Sequence, residues 1–264
     1  TIMVTIINGV TLLALSCKRV EVEVTAQPGL PTEIIVGLPD AVIRESKSRI
    51  QAAIINSHFS YPPKKYTINL SPGDLRKEGA YLELPMAIGI LAATGQLAVD
   101  EDAVFIGALS LTGRILPVAG LMAILHTLEK EGVRGPIFFP KSEKHEISYF
   151  KKIKGIPVSH IKDIQAYYNG NYTVPKLRPI PRQQSPEGDE IANVNGLSLA
   201  KRAVEIATTG RHNILLVGPP GIGKSMLLKC VPRLLPPMTL DERIDCLKIR
   251  SIMDLWNEDD DIGA

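Results

Sequence analysis

One stretch constrains this chain more than any other: Gly218-Pro219-Pro220-Gly221-Ile222-Gly223-Lys224-Ser225, a match to G-x-x-x-x-G-K-[S/T]. A polyphosphate held by main-chain amides needs a backbone that wraps closely with its N–H groups turned inward, and glycine permits that wrapping. The flanking sequence predicts the required setting. Residues 213–217 read NILLV, an apolar run expected as a buried strand, and residues 226–230 continue as a helix. In that arrangement Lys224 reaches the β and γ phosphates and the Ser225 hydroxyl ligates Mg2+, so ATP and Mg2+ are the expected cofactors. Hydrolysis needs more: a second apolar strand ending in acidic residues, and an arginine from a neighbouring subunit. Only 39 residues follow Ser225, and the acidic run Glu258-Asp259-Asp260-Asp261 follows Trp256-Asn257 rather than apolar residues. The expectation is therefore an ATPase domain that stops before its second (Walker B) strand and binds ATP without efficient turnover.

Composition sets the frame around that loop. The chain has 264 residues, 45% hydrophobic and 22% charged, which suits ordinary globular domains and excludes disordered classes. Four prolines within 172–190 break the apolar patterning and mark an extended linker. Three segments follow: a domain over 1–171, the linker 172–190, and a partial P-loop domain over 191–264. The formal charge is +2, so no global field attracts nucleic acid or membrane. Basic and acidic residues number 18 and 16 over 1–170, three each over 171–190, and nine each over 191–264. DNA binding would have to come from local patches or from a ring. Cys17, Cys230 and Cys246 form no metal-like cluster, and their odd number favours a reducing, cytoplasmic setting. The apolar opening, 1–15, lacks a basic lead and holds Asn8 and Gly9, so it reads as strands rather than a membrane segment.

Within the first domain, strand and helix signals alternate. Val20, Val22 and Val24 alternate with Arg19, Glu21 and Glu23, the period of a half-buried strand, and an apolar run follows at 33–36. Asp40 is placed to cap a helix running to Asn56, with Ile43, Ile50, Ala53 and Ile54 on one face. A strand is expected at 66–70, and then a helix with Pro85 in its first turn. Residues 105–111 and 114–118 flank Thr112-Gly113 as a hairpin, and a helix over 120–131 leads to a strand at 136–139. A Lys/Glu-rich helix, a strand near 156–160 and a short helix ending at Asn169-Gly170 complete the domain.

Four segments together resemble the bacterial magnesium-chelatase-like AAA+ proteins of the ComM/YifB family. They are VGLPDAVIRESKSRIQAAIINS at 36–57, INLSPGDLRKEGAYLELPMAIGILAATGQL at 68–97, FIGALSLTGRILPVAG at 105–120, and the phosphate-loop region at 200–242. The segment Asn193-Val194-Asn195-Gly196 with the helix 197–207 resembles the part of AAA+ proteins whose backbone contacts adenine. The resemblance implies an α/β chain: a Lon-protease-like α+β domain related to ribosomal protein S5 domain 2, then the start of an AAA+ module. It also implies assembly into homo-hexamers and ATP-driven DNA branch migration in natural transformation. An ATP-dependent Lon-like protease and a magnesium-chelatase motor subunit are the alternatives.

Lon proteases pair a serine in a K-[DE]-G-P-S-A-G loop with a lysine in a later helix. Here Lys77-Glu78-Gly79 is followed by Ala80 and Tyr81, and Ile124 occupies the lysine's place, so proteolysis is not expected. Ser71 and Ser110 are nearby, but the pattern places no lysine to activate either. Arg44, Lys47, Arg49, Lys64, Lys65, Arg76 and Lys77 are candidate phosphate contacts, diluted by Glu45, Asp74 and Glu78. His58, His126 and His160 are scattered and suggest no metal, and Trp256 offers no stacking platform.

Overall fold

The computed structural model of the chain describes residues 4–77, 79–176 and 191–253. These fall into two compact units: 4–176 with 247–253, and 191–246. The expected tail 258–261, Trp256, Glu78 and most of the 172–190 linker lie outside the described residues.

The first unit is built on a seven-stranded sheet. Its first strands are β1 (Thr5–Leu13), β2 (Ser16–Gln27), β3 (Thr32–Val36) and β4 (Lys65–Ser71). The helices α1 (Ala41–Asn56) and α2 (Glu83–Ala93) come next, then β5 (Val104–Phe105), the small pair β6 (Ala108–Leu109) and β7 (Ile115–Leu116), and α3 (Leu121–Lys130). The last elements of the unit's main run are β8 (Pro136–Pro140), β9 (Lys154–Val158) and α4 (Ile161–Tyr168). Across the sheet the order is β3-β4-β2-β1-β5-β8-β9. β1, β2 and β4 are joined antiparallel, whereas β3 with β4 and the β1-β5-β8-β9 series run parallel. The fold is thus mixed α/β with a largely parallel half.

The expected periodicities explain this architecture. Val20, Val22 and Val24 are fully buried and pack with Ile43, Ile50, Ala53 and Ile54 of α1 and the apolar length of α2. Asp40 accepts the Ile43 N–H at 2.8 Å, so the carboxylate both ends the preceding turn and satisfies one of the helix's open donors. In α2 every residue from Glu83 to Leu91 is buried, and its one charge is answered: Glu83 receives the Arg49 guanidinium at 2.5 Å and the Leu109 N–H at 2.7 Å. Gly89 lets α2 approach the sheet, since a Cβ there would lie 2.6 Å from Val24 Cγ2. On the other face of the sheet, Cys17 Sγ lies 3.8 Å from the Ile124 carbonyl of α3. Phe105 and Phe138 stack at 4.9 Å between β5 and β8. The segment 247–253 belongs to this unit, where Ser251 accepts the Gly120 N–H at 2.9 Å.

Two local expectations are corrected. The run 105–111 is not one hairpin arm: Phe105 joins the main sheet through β8, Gly107 at φ +155° breaks the chain's course, and only Ala108–Leu109 pairs with Ile115–Leu116. The Lys/Glu-rich helix is instead two short 3-10 turns, Lys141–Glu143 and Glu146–Tyr149. Their apolar residues Ile147, Tyr149 and Phe150 are too closely spaced for one helical stripe, and all three are buried.

The second unit is helical among its described residues. It holds α5 (Ser198–Thr209), α6 (Lys224–Lys229), α7 (Val231–Leu234) and the first part of α8 (Leu240–Ile252). The expected buried strand at 213–217 is the main correction. Those residues pair with no strand among the described ones, and Leu215 and Val217 are 85% and 87% exposed. An apolar run of this kind is a central strand only when neighbours on both edges take up its N–H and C=O groups, and residues 191–246 supply none.

Candidate nucleotide-binding site

The site is assembled from the end of α5 onward. α5 stops at Thr209 with Gly210 as its cap, and Arg211, at φ +53°, turns the chain into the 213–217 segment. Arg211 is fixed by Glu242 of α8 at 2.7 Å, and Glu242 in turn accepts the Thr239 N–H at 2.8 Å. The hydrogen bonds from Thr239 and from Arg211 hold the Glu242 carboxyl below its ordinary range. The loop then follows, with Gly221 at φ +82° and Gly223 at φ +96°. Both angles lie where a Cβ is penalised, which accounts for glycine at these two positions of the motif.

Lys224 begins α6, and its ammonium turns back over the loop. It donates to the carbonyls of Gly218 and Pro219 at 2.6 Å each. A positive charge is therefore suspended inside the bend at the position from which an amine can exchange carbonyl oxygens for phosphate oxygens. Ser225, the next residue, is exposed and makes no side-chain hydrogen bond among the described residues, so its hydroxyl is open to a ligand. Pro219, Pro220 and Ile222 are also exposed, and Ile222 is 46% accessible. Below the loop, Leu227 and Cys230 are fully buried and fasten α6 to the unit, with Cys230 Sγ 3.4 Å from the Met226 carbonyl. Leu197, at φ +53°, comes within 3.2 Å of where a Gly223 Cβ would stand. The 193–196 segment, with Val194 buried and Gly196 at φ +70°, therefore leads directly up to the loop. The residues present fit a magnesium-bound triphosphate: an amine held over the loop, an open hydroxyl and a glycine-shaped bend.

Most of the other sequence candidates are occupied structurally. Arg49 is held by Glu83, and Lys47 donates to the Glu33 carbonyl at 2.6 Å. Lys77 is buried, donates to the Pro72 carbonyl, and has its amine pushed below its ordinary pKa by burial. Arg44, Arg76 and Lys65 are exposed, and Lys64 is half-buried. Where Lon-type chemistry would sit, Tyr81 donates its hydroxyl to the Ala119 carbonyl at 3.1 Å, and Ile124 is fully buried in α3. Ala80 lies in the 3-10 turn between Gly79 and α2. Ser110 binds Thr112 and the Arg114 N–H within its own turn, and Ser71 pairs in β4. His160 caps α4, accepting the Lys162 N–H, while its other ring nitrogen meets the Thr112 carbonyl at 2.8 Å. Among the described residues no group of three or more His, Cys, Asp or Glu is placed to hold a metal. No described helix is long and apolar enough to cross a membrane.

Residues 22–143 match the family described as Subunit ChlI of Mg-chelatase, and residues 190–263 match Magnesium chelatase, subunit ChlI. The chain is 34% identical to the uncharacterised protein YifB of Escherichia coli over 91% of its own length and 48% of that protein's. It is 32% identical to competence protein ComM of Haemophilus influenzae over the same shares. A Lon protease of Trichlorobacter lovleyi is 21% identical over 69% of the chain and 24% of that protease. The chain thus spans about half the length of YifB and ComM.

Proposed function

The chain belongs to the magnesium-chelatase-like family that contains ComM and YifB, and on that premise we propose that 218–225 binds ATP with Mg2+ as the nucleotide site of a DNA-remodelling motor. The observation that supports it most is the Lys224 ammonium held over the loop by Gly218 and Pro219, next to an open Ser225 hydroxyl. With ATP bound, the loop N–H groups would donate to its phosphate oxygens, Lys224 would turn from the two carbonyls to the phosphates, and the Ser225 hydroxyl would hold the metal. Magnesium supplies charge neutralisation between those phosphates. The working assembly is a homo-hexamer, and its substrate is branched or single-stranded DNA in recombination and natural transformation. The first unit serves as a scaffold in place of a peptidase, because Ala80, Tyr81 and Ile124 bring neither a nucleophilic hydroxyl in a serine's place nor a base.

The test is retention of a fluorescent ATP analogue. The chain binds it with magnesium, and Lys224→Ala weakens binding by about tenfold or more, as expected for loss of a charge-assisted contact to phosphate. Ser225→Ala weakens it only when magnesium is present. A chain that retains no analogue under any magnesium condition refutes the reading.

A further inference from the structure

Of the basic residues singled out from sequence, Arg49 is in an ion pair, Lys77 is buried and Lys47 is bonded to a carbonyl, and a further group stands elsewhere on the first unit. Over 132–162 the chain carries seven Lys and Arg against two Glu, a local charge of +5 in a chain of +2. Tallies by domain conceal this concentration. Glu146 is buried, and burial raises its carboxyl well above the ordinary range, while Glu143 is half-buried. The exposed charge of the segment is therefore almost wholly positive.

Strand register places these cations. β9 pairs only with β8 and forms one edge of the sheet, with Lys154 opposite Pro136 and Val158 opposite Pro140. Lys151, Lys152 and Lys154 thus flank the start of β9, while Lys141, just after Pro140, and Lys162, in the first turn of α4, flank its end. All five are exposed, and none makes an ion pair among the described residues. Lys154 is steadied by the Tyr167 ring, 5.4 Å from its ammonium. The two groups stand about 13 Å apart, the rise of four strand residues. Arg134 does not belong with them, since the β5–β8 register sets Glu101 and Asp102 beside it.

Chemistry separates the possible partners. No large apolar side chain is exposed between Leu111 and Val174. A membrane surface or a protein interface would call on apolar residues there, whereas a phosphate backbone asks only for cations and reach. Lysines also keep an edge strand from pairing with other chains, but only Lys154 lies within β9, and the other four extend beyond both its ends. We propose that the β9 edge, through Lys141, Lys151, Lys152, Lys154 and Lys162, is a docking surface for the phosphate backbone of nucleic acid. It rests on the DNA reading above for the identity of the polyanion, and on none of the phosphate-loop geometry.

The experiment follows a labelled mixed-sequence single-stranded oligonucleotide by fluorescence anisotropy across a salt series, with the ATP analogue measured in parallel. The 264-residue chain binds the oligonucleotide at low salt. Lys151→Glu/Lys152→Glu/Lys162→Glu weakens it at least about tenfold and lowers the salt slope by about 2, the share of three released counterions on a single strand. The control Lys18→Glu/Arg19→Glu/Arg134→Glu, of equal charge change, alters it less than about twofold. If the first variant fails to fold by circular dichroism, the corresponding triple glutamine variant carries the same expectation. Equal weakening by the control, no oligonucleotide binding by a chain that still retains the ATP analogue, or equally lysine-dependent binding to phosphatidylserine vesicles overturns the proposal. Oligonucleotide binding by a chain that fails to retain the analogue leaves this surface standing and refutes the phosphate-loop reading instead.

Discussion

Glu146 illustrates how burial alone sets a residue's chemistry. It lies in a 3-10 turn next to Glu143 with one carboxylate oxygen lacking a hydrogen-bond partner among the described residues, and burial followed by the Glu143 charge pushes its carboxyl well above the ordinary range. A carboxyl whose folded pKa is raised takes up protons on folding, so its contribution is fully present below the unfolded value and is lost as pH rises through the folded one. Glu146→Gln removes the ionisation while keeping the shape. Its melting temperature should exceed that of the unsubstituted chain by a margin that grows between about pH 5 and 8, as differential scanning fluorimetry would show. A constant margin across that range would mean that the folded carboxyl is already ionised at its lower end and is not raised by burial. The thiols divide by the same physics. Cys17 is pushed up to about 12, chiefly by burial and then by Glu131, Cys230 is fully buried, and Cys246 is exposed. Burial also denies a reagent access, so a disulfide reagent should modify the exposed Cys246 quickly and the other two only on unfolding.

At the scale of elements, the helices α1 and α2 and the valine-lined β2 were legible because each carries its apolar pattern within its own short stretch of chain. Asp40 caps its own helix, and Val20, Val22 and Val24 carry their period on a strand whose first partner, β1, is its sequence neighbour. Gly89 makes the α2 contact testable. Alanine there gains about 1 kcal/mol of helix propensity but must displace Val24, a stiff β-branched neighbour, and overpacking costs about 1–3 kcal/mol. Gly89→Ala should therefore be neutral to destabilising, and Gly89→Val clearly destabilising, in urea titrations; stabilisation by both would deny the close approach. Less legible were the places where a remote element decides. Phe105 reads as a hairpin residue until Phe138 claims it for the main sheet. The segment 141–150 has helix-forming composition, yet its buried residues follow the demands of neighbouring elements. The bend of 218–225 was legible at its glycines because a backbone turn is local, and Gly221 and Gly223 are both left-handed. The strand before it was not, because a strand is a property of pairs.

The whole molecule divides unevenly. The first unit has a core that closes around a seven-stranded sheet, whereas the second presents Leu199, Leu215 and Val217 at 85% exposure or more. Exposed apolar runs with open backbone edges invite association. Leu215→Ser/Val217→Ser should raise the concentration at which the chain begins to scatter light, with no loss in melting temperature, because these side chains bury almost nothing here. A fall in melting temperature would show that they are packed after all.

The bare run of 213–217 has one more consequence. A phosphate cradle is steady only if both of its ends are steady, and this one is moored on the α6 side by Leu227 and Cys230 while its upstream shore is unbraced. On the nucleotide reading proposed above, part of the binding free energy would be consumed in ordering that approach. On that same reading, any polypeptide that laid a strand alongside would return that share as tighter grip, and ATP affinity would gauge what stands next to the loop.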